Sequence, residues 1–205
     1  MKNTNYFFVI VAVGCMFFSS CKDDDDDAPL HMNTLIYKVD GRGLKLSDSL
    51  PLTLDISGDG EMDFTIFMEL TANNMGDRLY AGINPIGANL VKSGPAINEN
   101  FLNMGLLVAE TVGANIDFEI ANDERWTADH GALVIRNTLV NGTIFYEGNW
   151  AASQQIVGIQ NKRSGQVYFG WVRLAFDKNT EFLTIVDYAY ETATNTPIKA
   201  GAKNS

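Results

Sequence analysis

The chain has 205 residues, a formal net charge of −10 and two cysteines, Cys15 and Cys21. Because both cysteines lie near the N-terminus, the rest of the chain has no thiol for a disulfide, a zinc site or nucleophilic catalysis. A chain this acidic repels polyphosphate, so we expect no nucleic-acid partner.

Residues 1–20 have the composition of an export signal. Lys2 supplies the positive start, an apolar run occupies residues 6–18, and Ser19-Ser20 are small residues of the kind that a signal peptidase needs beside its cut. The apolar run is shorter than the roughly 20 residues that span a bilayer. The sequence therefore predicts a signal peptide over residues 1–20.

Cys21 follows the predicted cut and begins an acidic tether, residues 21–32, with consecutive aspartates at 23–27. The cysteine resembles that of the lipobox of bacterial lipoproteins, which is lipidated and becomes the first mature residue. The aspartate run resembles the surface-export signal of Bacteroidetes lipoproteins. The resemblance implies a lipid on Cys21 that anchors the chain in the outer membrane, with the folded part facing the cell exterior.

Two alternatives stay open for this segment. Cys15 also follows small residues, although cutting there would leave the apolar residues 16–18 on the tether. The other alternative is an ordinary cleaved secretory signal with an incidental cysteine. Phe18 departs from the leucine that is more usual in a lipobox, and the aspartate run also suits a solvated, extended linker.

Residues 33–205 are predicted to form a single domain, because a chain of this length supports one substantial core. Short runs rich in Val, Ile, Thr, Phe and Tyr recur through residues 33–190, separated by Gly, Asn, Asp and Pro. Alternation of apolar and polar residues predicts strands at 34–39, 52–56, 63–70, 78–83, 132–136, 143–146, 155–159, 166–176 and 182–190.

No long window repeats apolar residues at helical spacing, and the best helical candidates are residues 100–107 and 151–155. Residues 71–104 interrupt the strand pattern and are predicted to include long loops. Successive strands without helices between them predict an all-β fold, an antiparallel β-sandwich of the jelly-roll type, with a closed barrel as the alternative.

Residues 55–63 place oxygen-bearing side chains at alternate positions, with Gly60 where a turn around an ion needs a permissive backbone. The predicted ligands of one Ca²⁺ are Asp55, Ser57, Asp59, the carbonyl of Glu61, and Asp63. Ile66 stands where an EF-hand has its bidentate glutamate, so the loop is not an EF-hand.

The spacing of this loop resembles the D-x-[DNS]-x-D-G-x-x-D loop of FG-GAP-like and related extracellular β-proteins, which implies a structural Ca²⁺. Ser57 replaces the more usual Asn or Asp, so we expect a weak site, which extracellular calcium of about a millimolar would still fill. The alternative is an acidic hairpin turn without a metal, because Asp and Gly are favoured in turns anyway.

The last fifty or so residues contain a connected pattern. Gly-Trp-Val-Arg-Leu at 170–174 is followed by Asp-Tyr-Ala-Tyr-Glu at 187–191 and Pro-Ile-Lys-Ala-Gly at 197–201. The pattern resembles the end of secreted bacterial β-sandwich domains that are attached to varied cell-surface anchors. The resemblance implies a fold and a location rather than an activity.

Apolar residues in this pattern are expected to pack inside the sandwich. They are Trp171, Val172, Leu174 and Phe176, with Tyr188 and Tyr190 pairing across the hairpin. Asp187 and Glu191 are candidates for a site, but charged residues at strand ends are more often solvated.

We expect no enzymatic activity. A hydrolase needs a nucleophile with its base, a metal with an activated water, or two carboxylates facing each other across a cleft, and the sequence indicates none of these. The two histidines are His31, in the tether, and His130. The nearest approach to a glycosidase pattern is the pair Asp117 and Glu119.

Binding of a glycan or of a surface protein is the predicted function. Trp126 and Trp150 lie in segments rich in Asn, Asp and Gly, where an exposed indole can stack on a sugar ring. The alternative for both residues is burial in the core. A structural or adhesive role in a surface complex is the competing function, and a large exposed apolar patch would favour it.

Overall fold

The structure, a computed structural model, describes residues 34–93, 109–110, 119–122, 125–129, 131–147 and 155–204. All described residues belong to one compact unit, Met32–Ser205. Its strands are β1 (Leu35–Val39), β2 (Gly43–Lys45), β3 (Leu52–Leu54), β4 (Phe64–Asn73), β5 (Gly76–Pro85), β6 (Leu90–Lys92), β7 (Ala109–Glu110), β8 (Glu119–Ile120), β9 (Trp126–Thr127), β10 (Gly131–Leu139), β11 (Ile144–Glu147), β12 (Gln155–Arg163), β13 (Gln166–Asp177), β14 (Phe182–Glu191) and β15 (Ile198–Lys199).

The strands form two main sheets. Sheet A has the order β1-β14-β13-β12-β6-β9, with β2 also paired to β14, and sheet B has the order β11-β10-β5-β4-β3, with β7 also paired to β10. Neighbouring strands are antiparallel except for the short β7–β10 pair, and β15 and β8 form a separate ribbon. The predicted antiparallel β-sandwich is confirmed, and neither sheet closes into a barrel in the described part of the chain.

All nine predicted strands are present. The strands that the alternation pattern missed are β2, β6, β7, β8, β9 and β15, each two or three residues long. Two or three residues are too few to show an alternating period, so only pairing with a neighbour defines these strands. The described residues include no helix that is long and apolar enough to cross a membrane.

The prediction of long loops from residue 71 onwards is wrong for the first part of that stretch. β4 continues to Asn73 and a tight turn leads directly into β5. Gly76 permits this turn, since its φ is +143° and a Cβ there would meet the carbonyl oxygen of Thr138, on β10, at 2.0 Å. β6 then follows within eight residues of β5, while residues 94–104 lie outside the described part.

The main core lies between the two sheets. Phe64, Ile66 and Ile83 of sheet B meet Val172 and Ile185 of sheet A, and each of these side chains is fully buried. Their alternation along each strand places them on one face, as the period of two requires. This buried layer supplies the hydrophobic stabilisation that holds the sheets together.

Tyr188 and Tyr190 join the same core from β14. They face Val172 and Gly170 on β13 rather than each other. A Cβ at Gly170 would come within 2.7 Å of the Ala189 carbonyl oxygen and 3.0 Å of the Tyr190 Cβ, so glycine leaves the space that the tyrosine occupies.

A second core covers the outer face of sheet A, and it corrects the prediction for Trp171. Successive residues of a strand point to opposite faces, so Trp171 and Val172 cannot share one core. Trp171 is fully buried, but it packs with Phe169 and with Ile198 and Ala200 of the C-terminal segment. The expectation that it lies between the sheets is therefore wrong, whereas that for Val172 is confirmed.

Several predictions fall on residues outside the described part of the chain. These are the signal peptide over residues 1–20, the acidic tether with Cys21, and the helical candidate at 100–107. Of the second helical candidate, residues 151–155, only Gln155 is described, and it begins β12.

Candidate functional site

The acidic loop, residues 55–63, connects β3 and β4 at one edge of sheet B. Asp55 organises its first half: its Oδ1 accepts from the Gly58 N–H at 2.6 Å and its Oδ2 from the Gly60 N–H at 2.9 Å. Both glycines have positive φ, 76° and 92°. Burial alone would raise the pKa of the Asp55 carboxyl, but the N–H groups of Gly60 and Gly58 outweigh it and hold this pKa below its ordinary value.

Asp63 closes the other end of the acidic loop from inside the protein, where it is 6% exposed. Its Oδ2 accepts from the backbone N–H groups of Ile56 at 2.9 Å and Ser57 at 3.1 Å. Its Oδ1 accepts from the side-chain amides of Asn89, at 3.3 Å, and Asn161. A carboxylate has about four acceptor positions, so these donors occupy all of them.

The hydrogen bonds of the acidic loop affect which of the predicted calcium ligands are available to bind an ion. In the described part of the chain, no three Asp, Glu, His or Cys side chains are grouped to hold a metal ion. Asp63 is committed to N–H donors and does not fit as a ligand where it is placed. The other predicted ligands, Asp55, Ser57, Asp59 and the Glu61 carbonyl, belong to residues that are half-buried or exposed. Calcium binding stays a prediction from the spacing.

The β12–β13 hairpin lies beside the acidic loop. Its two turn residues, Ser164 and Gly165, have φ of 50° and 77°, the signs that a tight hairpin turn requires. The guanidinium of Arg163 lies over the Tyr168 ring, with its carbon 4.3 Å from the ring centroid. The Tyr168 hydroxyl donates to Gln166 Oε1 at 2.9 Å.

Tyr190 of β14 and Asn89, which lies just before β6, connect the acidic loop to this hairpin. The Tyr190 hydroxyl donates to the Ser57 carbonyl oxygen at 2.9 Å, while its ring centroid lies 5.9 Å from the Arg163 guanidinium carbon. Asn89 Oδ1 accepts from the Lys162 N–H at 2.7 Å. Burial raises the pKa of the Tyr190 hydroxyl, and the charge of Arg163 opposes that rise. The two segments are thus held at a set separation.

Between them lies an open cavity of about 580 Å³, here named the loop–hairpin groove. Its lining residues are Asp59 and Glu61 from the acidic loop and Lys162, Arg163, Ser164, Gln166 and Tyr168 from the hairpin. One wall therefore presents carboxylates, which only accept hydrogen bonds, and the other presents mainly donors. The two walls lie about a hundred residues apart in sequence and meet only in the fold.

Of the two tryptophans predicted for glycan stacking, Trp126 is described and does not line the groove. Trp126, on β9, is half-buried, its ring centroid lies 6.0 Å from that of Phe169, and its indole N–H donates to the Ala121 carbonyl oxygen at 3.3 Å. It belongs to the edge of the second core. Trp150 lies outside the described residues.

Two acidic candidates expected to be solvated are buried instead. Asp187 is 4% exposed, accepts from the Tyr37 hydroxyl at 2.9 Å, and lies 2.9 Å from Arg173 Nε on the outer face of sheet A. Glu191 is also 4% exposed and accepts from the Ala193 N–H at 3.0 Å. Both carboxylates have partners within the fold, which is why they tolerate burial.

Of the acidic pair proposed for a glycosidase, only Glu119 lies in the described part, exposed on β8 and opposite Lys199. The residues that sequence reasoning missed are Arg163 and Tyr168. Their signal was a basic pair before a Ser-Gly turn, with an aromatic residue just after it, but no sequence feature placed them beside the acidic loop.

Comparison of the chain with protein-family models, with curated proteins and with solved structures found no match.

Proposed function

We propose that this protein is a surface lipoprotein anchored through Cys21. Its β-sandwich binds a glycan in the loop–hairpin groove and does not catalyse a reaction of it. The observation that carries the proposal is the chemistry of the two walls. Each sugar hydroxyl both donates and accepts a hydrogen bond, and here acceptors (Asp59, Glu61) face donors (Lys162, Arg163, Gln166) across one open groove.

The same geometry favours binding over glycoside hydrolysis. A glycosidase uses two carboxyl groups that flank the scissile bond from opposite sides. Asp59 and Glu61 are two residues apart on one wall, and the facing wall carries Lys162 and Arg163. A sugar between these walls would meet carboxylates on one side only.

Calcium is part of the proposal as a weak structural ion on the exposed side of the acidic loop. Asp55, Ser57, Asp59 and the Glu61 carbonyl would hold it, leaving Asp63 with its N–H donors. Such an ion would stiffen the acidic wall of the groove and stabilise the folded state by mass action.

The test is a glycan array probed with residues 28–205, which contain the whole compact unit Met32–Ser205. We expect binding to a related set of sugars, lost in Glu61→Gln combined with Gln166→Ala and retained in the surface control Glu69→Gln on β4. If the protein released new reducing ends from a bound glycan, it would be a glycoside hydrolase, and the proposal of binding alone would be wrong. Silence of folded protein across the array would contradict the proposal.

A second candidate function, adhesion to a protein partner, rests on exposed apolar residues at two adjacent hairpin ends. Met75, Val140 and Ile144 are 52%, 77% and 56% exposed, and the Val140 N–H donates to the Met75 carbonyl oxygen at 3.2 Å. Exposed apolar residues that cluster in this way are typical of interaction surfaces.

A photo-crosslinking residue placed at position 140 on intact cells would test adhesion. We expect one discrete crosslinked product from position 140 and none from position 39, because Val39 is similarly exposed, at 73%, but lies on a different strand. Equal labelling from both positions would indicate non-specific contact and remove this candidate.

A further inference from the structure

Arg163 differs from the other partly or fully buried arginines in the described part of the chain. Arg78, Arg136 and Arg173 each pair with an aspartate or glutamate. Arg163 is half-buried yet forms no ion pair with a described carboxylate. The Arg163 side chain lines the open loop–hairpin groove, so we expect its counter-charge to come from an anion that enters the groove.

The position of Arg163 is also well defined. Its guanidinium stacks on Tyr168 and lies near Tyr190, whose hydroxyl is held by the acidic loop. Because the flat face of the guanidinium stacks on the ring, the N–H groups at its edge remain directed outward for hydrogen bonding. Their spacing matches the two oxygens of a carboxylate. The ammonium of Lys162, on the same wall, adds positive charge for an anion.

The opposite wall limits which anion fits. Asp59 and Glu61 repel a sugar unit that carries several negative charges, but they accept hydrogen bonds from neutral hydroxyl groups. A sugar that carries one carboxylate and several hydroxyls satisfies both walls at once, with the carboxylate on Arg163 and hydroxyls on Asp59 and Glu61. A sulfate ester offers Arg163 similar oxygens and is the other source of this chemistry.

We propose that the ligand of the loop–hairpin groove is an acidic glycan built of uronic-acid units, with Arg163 as the residue that binds the sugar carboxylate. This inference rests on the proposed glycan-binding function and adds the chemical class of the sugar.

The experiment compares three probes by isothermal titration calorimetry: an oligogalacturonate, the same oligosaccharide with its carboxyls methyl-esterified, and dextran sulfate. We expect the free acid to bind and the methyl ester to bind at least about tenfold more weakly, since a charged hydrogen bond contributes about 1.5–3 kcal/mol. Arg163→Gln should lower the affinity for the free acid to that for the ester. Arg163→Lys should lower it by an intermediate amount.

The matched control is Arg125→Gln, which removes the same charge from an exposed arginine outside the groove and should leave affinity unchanged. If Arg163→Gln does not fold, the comparison of acid with ester on the wild-type protein still decides the matter. Equal binding of acid and ester, or preference for dextran sulfate, overturns the uronic-acid inference while glycan binding stands. No binding of any probe overturns the inference, and the glycan array then decides separately whether the proposed function also fails.

Discussion

At the scale of single residues, two aspartates of the acidic loop have different roles although their spacing in the sequence is that of equivalent ligands. Asp63 is buried and binds four N–H donors, whereas Asp59 is exposed and accepts from the Glu61 N–H at 2.9 Å. Both are aspartates in one nine-residue stretch, so the sequence predicts the same function for both. The difference arises because the partners of Asp63 come from distant parts of the chain: Asn89 lies just before β6 and Asn161 lies on β12.

Asp63→Asn tests the structural role of this carboxylate. The amide replaces one acceptor by a donor facing N–H groups, so we expect the free energy of unfolding to fall by about 2–3 kcal/mol. Urea unfolding followed by circular dichroism measures it. Asp59→Asn, the matched control on the exposed side, should change stability by less than about 0.5 kcal/mol. Equal effects of the two substitutions would contradict the assignment.

The lowered pKa of Asp55 predicts that protein stability falls in acid through this residue. Its pKa is lowered from 3.8 in the folded state, so the stability it contributes is fully present above that value. This contribution is lost as the pH falls below 3.8 through the lower folded pKa, because protonation weakens the acceptors for Gly58 and Gly60. Urea unfolding from pH 6 to pH 2.5 should show it as a pH-dependent difference between wild type and Asp55→Asn. A constant difference over this range would refute the prediction.

At the scale of elements, the C-terminal segment closes the second core. Ile198 and Ala200 are buried over the outer face of sheet A, and the Trp171 indole N–H donates to the Ala202 carbonyl oxygen at 3.2 Å. In the sequence, Pro-Ile-Lys-Ala-Gly at 197–201 is part of the resemblance to secreted bacterial β-sandwich domains. Its physical role, covering Trp171, became visible only with β13 and the C-terminal segment placed together.

Ile198→Ala should destabilise the protein by about 2–4 kcal/mol, because it leaves a cavity in a core that packs against Trp171. Lys199→Ala, the adjacent and exposed position on the same short strand, is the control and should be nearly neutral. Tryptophan fluorescence during urea unfolding reports both variants. A neutral Ile198→Ala would show that the segment does not contribute to the core.

At the scale of the whole molecule, the groove depends on both sheets being assembled, since one wall follows β3 of sheet B and the other joins β12 and β13 of sheet A. Anything that binds the folded state alone adds to its stability. Ions and ligands at the groove are therefore measurable as changes in global unfolding.

Calcium should raise the melting temperature of residues 28–205. At ten times the dissociation constant the gain is about 1.4 kcal/mol, or roughly 3–5 °C for a domain of this size. Differential scanning calorimetry with calcium and with EGTA measures it. Asp59→Ala should abolish the rise, and Glu69→Ala, an exposed acid on β4, should preserve it. An unchanged melting temperature in wild type would rule out the calcium proposal.

The sequence by itself determined nine of the fifteen described strands and the fold class, because a strand with one buried face repeats apolar residues with a period of two. It also identified the acidic loop, whose Asp and Gly residues are local neighbours. The tertiary structure alone decided that Trp171 packs outside the sandwich, that Asp63 serves the fold, and that Arg163 faces Asp59 and Glu61. These outcomes depend on which strands become neighbours, and strand neighbours here join residues separated by up to about 150 positions, as in the pairing of β1 with β14.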